Sequence, residues 1–166
     1  MRVGGTPSCW RTLLFGGWEY ISKMEITEYK PEYESAVIRL WEKCELTRPW
    51  NNPQLDIERK MKVNPELFLV GLIDGRVVAS AMGGYEGHRG WVNYLAVESE
   101  YRRQGLAKLM MEAVEERLIN MGCPKINVQV RSDNTDALQF YGKIGYNTEE
   151  RISLGKRLIE DRNTER

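Results

Sequence analysis

Residues 105–121 repeat apolar side chains on a helical period, and this run limits the folds open to the chain. Leu106, Leu109, Met110, Ala113, Val114, Leu118 and Met121 fall on one stripe. Gly122 and Pro124 follow and stop it. Strand-like segments lie on both sides, "WVNYLAVES" at 91–99 and "KINVQV" at 125–130. A strand, a long helix and a second strand in one sheet close as a right-handed crossover with parallel strands. Most strands cluster before the long helix, so the sheet is expected to be mixed rather than purely parallel.

The remaining elements fit around this unit. "MEITEY" (24–29) reads as a first strand. Pro31 suits the first turn of a helix, in which Ala36, Val37, Leu40, Trp41 and Cys44 share a face. "TRPWNNP" (47–53) is a loop, followed by a short helix through "QLDIERKMKV". "ELFLVGLI", the Asp74-Gly75 turn and "RVVASAMGGY" form a hairpin, and "EGHRG" turns into 91–99. Those three strands make an antiparallel meander. Asn134 caps a helix through "TDALQFYGKI", and "YNTEE" and "ISLGKRLI" read as two last strands. The expected class is mixed α/β (α+β), a mostly antiparallel sheet of six to seven strands with about four helices.

Residues 24–159 form the expected domain. Residues 1–23 fit poorly with the rest of the chain and read as a disordered extension or an upstream start, with a targeting segment as the alternative. The charged stretch 160–166 reads as a solvated tail.

Lys+Arg and Asp+Glu both number 24, so no overall basic surplus points to nucleic acid. Three cysteines (Cys9, Cys44, Cys123) without a CxxC pair, and one histidine, argue against a zinc site. No metal is expected. Three free thiols suit a reducing cytoplasm, and no run of 18 apolar residues suggests a membrane span.

The turn before the long helix carries the chemistry. In "VESEYRRQGLAKLMMEAVEERL" (97–118), two arginines and a glycine sit where a helix begins. A helix start presents unpaired N–H groups and the positive end of the dipole. Gly105 removes the Cβ that would keep a ligand off that backbone. Such a turn can hold a pyrophosphate. Neither a Walker loop nor GxGxxG is present. On this stretch alone, a solvated basic turn is the simpler reading.

The spacing changes that balance. Arg102-x-x-Gly105-x-Ala107 resembles the [RQ]-x-x-G-x-[GA] signature of the GNAT acetyltransferases. "VRSDNTDALQFYGKIGY" (130–146) resembles the family's second block, with Asn134, Ala137, Tyr141, Gly145 and Tyr146 in register. The likeness covers about residues 24–158. Its ending and the phrase "GGYEGHRG" resemble the small bacterial YpeA-type branch, near the ribosomal-protein alanine acetyltransferases.

The resemblance implies the acyl-CoA N-acyltransferase fold and acetyl-CoA as donor, with coenzyme A as product. It implies that amides from Arg103, Gln104, Gly105, Leu106 and Ala107, beside Arg102, bind the pyrophosphate. Leu95, Ala96 and Val97 would pair with the pantetheine arm. The Val97 N–H would polarise the thioester carbonyl, a preorganised dipole of the kind whose loss costs roughly 3 kcal/mol or more. Asn134 would touch the arm and Tyr141 would protonate the departing thiolate. The simpler alternative for Tyr141 is an aromatic packed in the core.

The acceptor would be a primary amine, attacking directly within a ternary complex. Relatives carry a glutamate base where this chain has Gln129, or early in the strand that here reads Trp91, Val92, Asn93. Glu86, His88 and Glu98 remain, with a water relayed by Tyr94 or Asn93. His88 would lie roughly 26 Å from Ala96 along an extended strand. Deprotonating a lysine amine at pH 7 costs about 4.6 kcal/mol, an α-amine about 1.1. A site without a strong base thus favours an α-amine. Arg48 and Trp50 could frame a carboxylate-bearing or aromatic acceptor, with Tyr85, Asn93, Tyr94 and Gln129 at the rim. A non-catalytic acyl-CoA-binding module is the alternative, and a homodimer is left open.

Overall fold

The computed structural model describes residues 23–161. The expectations for residues 1–22, Cys9 included, and for 162–166 lie outside that range. Among the described residues five strands form one sheet in chain order: β1 (Glu25–Glu28), β2 (Phe68–Ile73), β3 (Arg76–Tyr85), β4 (Gly90–Val97) and β5 (Ile126–Val128). The first four pair antiparallel, and β5 runs parallel to β4. The α-helices among the described residues are α1 (Glu34–Lys43), α2 (Pro53–Lys60), α3 (Leu106–Asn120) and α4 (Thr135–Lys143).

Side chains alternate across a strand, so β2 feeds both faces. Phe68, Val70 and Leu72 join Val37, Leu40 and Trp41 of α1 and Ile57 of α2 in one core. Leu69 and Ile73 meet Leu106, Met110, Met111, Val114 and Leu118 of α3 in the other. Each of those five α3 side chains is buried, worth about 1.5–3 kcal/mol apiece. Met111 is buried although the expected stripe omitted it, and Met121 is 38% exposed. A helix on a flat sheet buries a wider arc than one stripe.

α3 lies close to the sheet because β2 and β3 offer it glycines. A Cβ on Gly71 would stand 3.2 Å from Met110 Sδ, and one on Gly83 would stand 2.9 Å from Val114 Cγ1. The helix ends as expected. Gly122 takes φ 77°, its N–H bonds the Ile119 carbonyl, and the Cys123 N–H bonds that of Leu118.

The strand count is a correction. Residues 146–150 and 152–159 form no strand. Ile152, Leu154 and Leu158 are 89%, 91% and 85% exposed. An alternating pattern makes a strand only where a ladder partner of matching length exists, and β5 offers three residues.

Candidate active site

β4 breaks register at one place. Ser80 faces Ala96 and Met82 faces Asn93, so Ala81 of β3 opposes both Tyr94 and Leu95. Tyr94 takes φ 51°, a left-handed conformation that costs a non-glycine residue about 1–2 kcal/mol. Its surroundings hold it there. Trp41 stacks on its ring at 3.9 Å. Trp41 Nε1 donates to Ser80 Oγ at 2.9 Å, and Ser80 Oγ donates to the Tyr94 carbonyl at 3.0 Å. The Tyr94 hydroxyl donates to Asp56 Oδ2 at 2.6 Å. Burial and Asp56 together push the Tyr94 phenol well above its usual pKa.

On its other edge, β4 pairs with β5 only through Gly90, Trp91 and Val92. Beyond Val92 the two strands are no longer paired. The Glu98 N–H donates to Val78 O, toward β3. N–H directions alternate along a strand, so the Val97 N–H points to the opposite edge, where β5 gives it no partner. The bulge and the parted strands therefore meet over Asn93–Val97. Ala96 is buried and points into the α1 face.

The chain then turns through Ser99–Tyr101 into α3. Gly105 is the N-cap with φ 85°, and among the described residues no side chain caps the helix. The first N–H groups of α3, Leu106 and Ala107 among them, are left for another acceptor. Arg103 takes φ 63° and its side chain is exposed. Arg102 is exposed but turns back onto β4: its Nε donates to Val97 O at 2.9 Å and it reaches Cys44 Sγ at 3.3 Å. It fixes the end of β4 against the turn. Gln104 Nε2 donates to Glu100 O at 3.1 Å, while its buried Oε1 has no partner among the described residues.

On α4, Asn134 accepts from Ala137 N at 3.1 Å as the N-cap, which leaves its amide nitrogen free for a ligand. Tyr141 packs edge-on between Phe140 and Tyr146, and burial pushes its phenol up to about 12.

A cleft of about 530 Å³ opens on the α2 side of the bulge, lined by Leu46, Asn51, Asp56, Arg59, Lys60, Met82, Asn93 and Tyr94. Asn93 and Tyr94 are where the rim was expected. Trp50, Tyr85 and Gln129 are not in it. Trp50 is 53% exposed in its loop. Tyr85 sits at the far end of β3, its hydroxyl within bonding distance of the Gly87 and Gly122 carbonyls. Gln129 donates to Ser153 Oγ at 2.8 Å, beyond the end of β5. Of the expected bases, Glu86 accepts from the His88 and Arg89 N–H groups in the β3–β4 turn, and Glu98 pairs with Lys43. Neither faces the cleft.

The carboxylate that does face it, Asp56, was missed, as were Arg59 and Lys60. On the sequence they read as the polar side of a short helix. Lys60 is buried, donates to the carbonyls of Val63 and Gly83, and is pushed down to about 8 by desolvation.

Residues 27–146 match the model of the acetyltransferase (GNAT) family. An acetyltransferase of Pectobacterium atrosepticum is 50% identical over 139 residues, 84% of this chain and 99% of its own length. Among solved structures, Ard1 from Thermoplasma volcanium superposes with a TM-score of 0.68 at 27% identity, over 74% of this chain and 82% of that one. An aminoglycoside acetyltransferase, AAC(6')-Iy bound to a CoA bisubstrate analogue, gives 0.68 at 17% identity, over 81% and 97%. At that identity the likeness is one of fold.

Proposed function

This chain belongs to the GNAT acetyltransferase family and uses an acyl-CoA, and on that premise we propose that it transfers acetyl from acetyl-CoA to a primary amine. The amine attacks directly, with both substrates bound. The observation that carries the reading is the opening of β4 from β5 after Val92, beside the Tyr94–Leu95 bulge.

In this reading the Val97 N–H donates to the thioester oxygen as it gains charge, and the Leu95–Val97 edge takes the pantetheine amides as a strand would. The amides of Arg103–Ala107 take the pyrophosphate. The Asn134 amide nitrogen donates to the arm. The fit is chemical: among the described residues the start of α3 has no side-chain cap, so its N–H groups suit an anion.

Tyr141 takes the side of the leaving sulfur. With its phenol at about 12 and a thiol at roughly 8.5, full proton transfer is uphill by roughly 5 kcal/mol. Tyr141 therefore serves as a hydrogen-bond donor to the thiolate, and solvent completes the protonation. Asp56 is the acceptor-side carboxylate in reach of the cleft; it accepts a hydrogen bond from the incoming amine, which gives its ammonium proton to solvent and attacks as the neutral base. As the new N–C bond forms, the C–S bond breaks. Coenzyme A leaves as the thiol, with one net proton released.

The test is thiol release from acetyl-CoA with a panel of primary amines, alongside calorimetry of coenzyme binding. Saturable binding and amine-dependent thiol release are expected. No heat and no protection against melting at millimolar coenzyme would overturn the reading. A cytoplasmic setting fits the free thiols of Cys44 and Cys123.

A further inference from the structure

The segment after α4 returns over the acceptor cleft. Arg157 donates to the Trp50 carbonyl at 3.0 Å and reaches Asn51 Oδ1 at 3.4 Å. Asp161 then places both carboxylate oxygens on Arg59, at 2.6 and 2.7 Å. This carboxylate is 7% exposed, although residues 147–160 leading to it are exposed. Between this segment and α2 lies a second open cavity of about 620 Å³, which shares Asn51, Asp56 and Arg59 with the cleft at the bulge.

Two features set Arg59 apart from an ordinary surface pair. The contact is a two-pronged guanidinium–carboxylate bond, the geometry that recognises a carboxylate rather than a point charge. Asp56, one helical turn earlier on the same face, stands 3.5 Å from Arg59. It is also the group that receives the Tyr94 hydroxyl. One helix face thus offers an anion for an ammonium and a fork for a carboxylate, side by side, next to the strained residue of β4.

We propose that the acceptor is an α-amino acid, held by its carboxylate on Arg59 and by its amine against Asp56, and that Asp161 occupies the carboxylate subsite until the acceptor displaces it. One carbon separates the two charged groups of such an acceptor, which suits neighbouring partners on one helix face. The amine is then delivered toward Asn93 and Tyr94. The proposal rests on the acetyl-transfer reading of the same cleft. Arg59 is here a specificity-determining residue and Asp161 an internal competitor.

The experiment compares α-amino acids with their carboxamides as acceptors, by thiol release from acetyl-CoA. The acids are expected to show a KM about ten-fold or more below that of the amides. Arg59→Gln should erase that difference by raising KM for the acids about ten-fold or more relative to the amides. Asp161→Asn should lower KM for the acids about five-fold without changing coenzyme affinity. The acid–amide comparison on the unaltered protein decides the proposal even if a variant folds poorly. Amides as good as acids, an unchanged KM in folded Asp161→Asn, or coenzyme binding without turnover of either set would each overturn it. The last result leaves the coenzyme reading standing, whereas loss of coenzyme binding defeats that reading instead.

Discussion

The Ser80 hydroxyl donates to the Tyr94 carbonyl across 3.0 Å, at the one point where β4 loses register with β3. The same hydroxyl accepts from Trp41 Nε1, so α1, β3 and the bulge meet in one buried oxygen. Ser80 is fully buried. This oxygen ties the left-handed Tyr94 backbone to the core, and with it the direction of the N–H groups that follow.

Ser80→Ala leaves a buried indole N–H and a carbonyl unpaired. Destabilisation of about 1–3 kcal/mol is expected in denaturant melts. Because the bulge then relaxes, kcat should fall by about ten-fold or more while coenzyme affinity changes less. An unchanged kcat in a destabilised but folded variant would show that the bulge does not depend on this hydroxyl.

Gly105 holds φ 85° at the N-cap of α3. A Gly105→Ala variant incurs about 1 kcal/mol of backbone strain and adds a methyl at the mouth of the proposed pyrophosphate site. Coenzyme binding should weaken by about ten-fold or more in calorimetry. A Kd equal to that of the unaltered protein would place the pyrophosphate elsewhere.

Burial pushes Tyr141 up to about 12, so its phenol stays protonated through neutral and mildly alkaline pH. Tyr141→Phe should lower kcat about 10²-fold at pH 7.5 with coenzyme affinity nearly unchanged. In the unaltered protein, no loss of kcat between pH 7 and 10 should trace to this group. A limb in that interval that vanishes in Tyr141→Phe would contradict the assignment.

Desolvation lowers Lys60 to about 8 in the folded chain, against roughly 10.4 when unfolded. Between those values the unfolded chain binds more protons, so this group's contribution to stability rises with pH. The melting temperature of the unaltered protein relative to Lys60→Met should increase from pH 7.5 to 10 and level off above. A difference that shrinks over that interval would show that Lys60 is charged and satisfied when folded.

The helical period from Leu106 to Leu118, the Asp74-Gly75 hairpin and the glycine stop at 122 were all legible in the chain, because each is a local choice of backbone. The Arg102–Ala107 spacing likewise marked a helix start with bare amides. The alternation in 152–159 misled, since a strand is made by its partner and β5 ends at Val128. Asp56 and Arg59 were invisible as site residues. Their polar positions on a short helix look like solvent-facing ones until β4 and the returning segment are brought beside them.

By itself, the sequence determined the order of the elements from β1 to α4, the family signature and a glycine-led helix start, all set by neighbours a few residues apart. Only the tertiary structure decided which carboxylate lines the cleft at the bulge, that Tyr94 is forced left-handed, and that Arg59 grips Asp161. Those facts arise from groups between 14 and 102 positions apart in the chain, whose meeting depends on packing across the sheet rather than on any local preference.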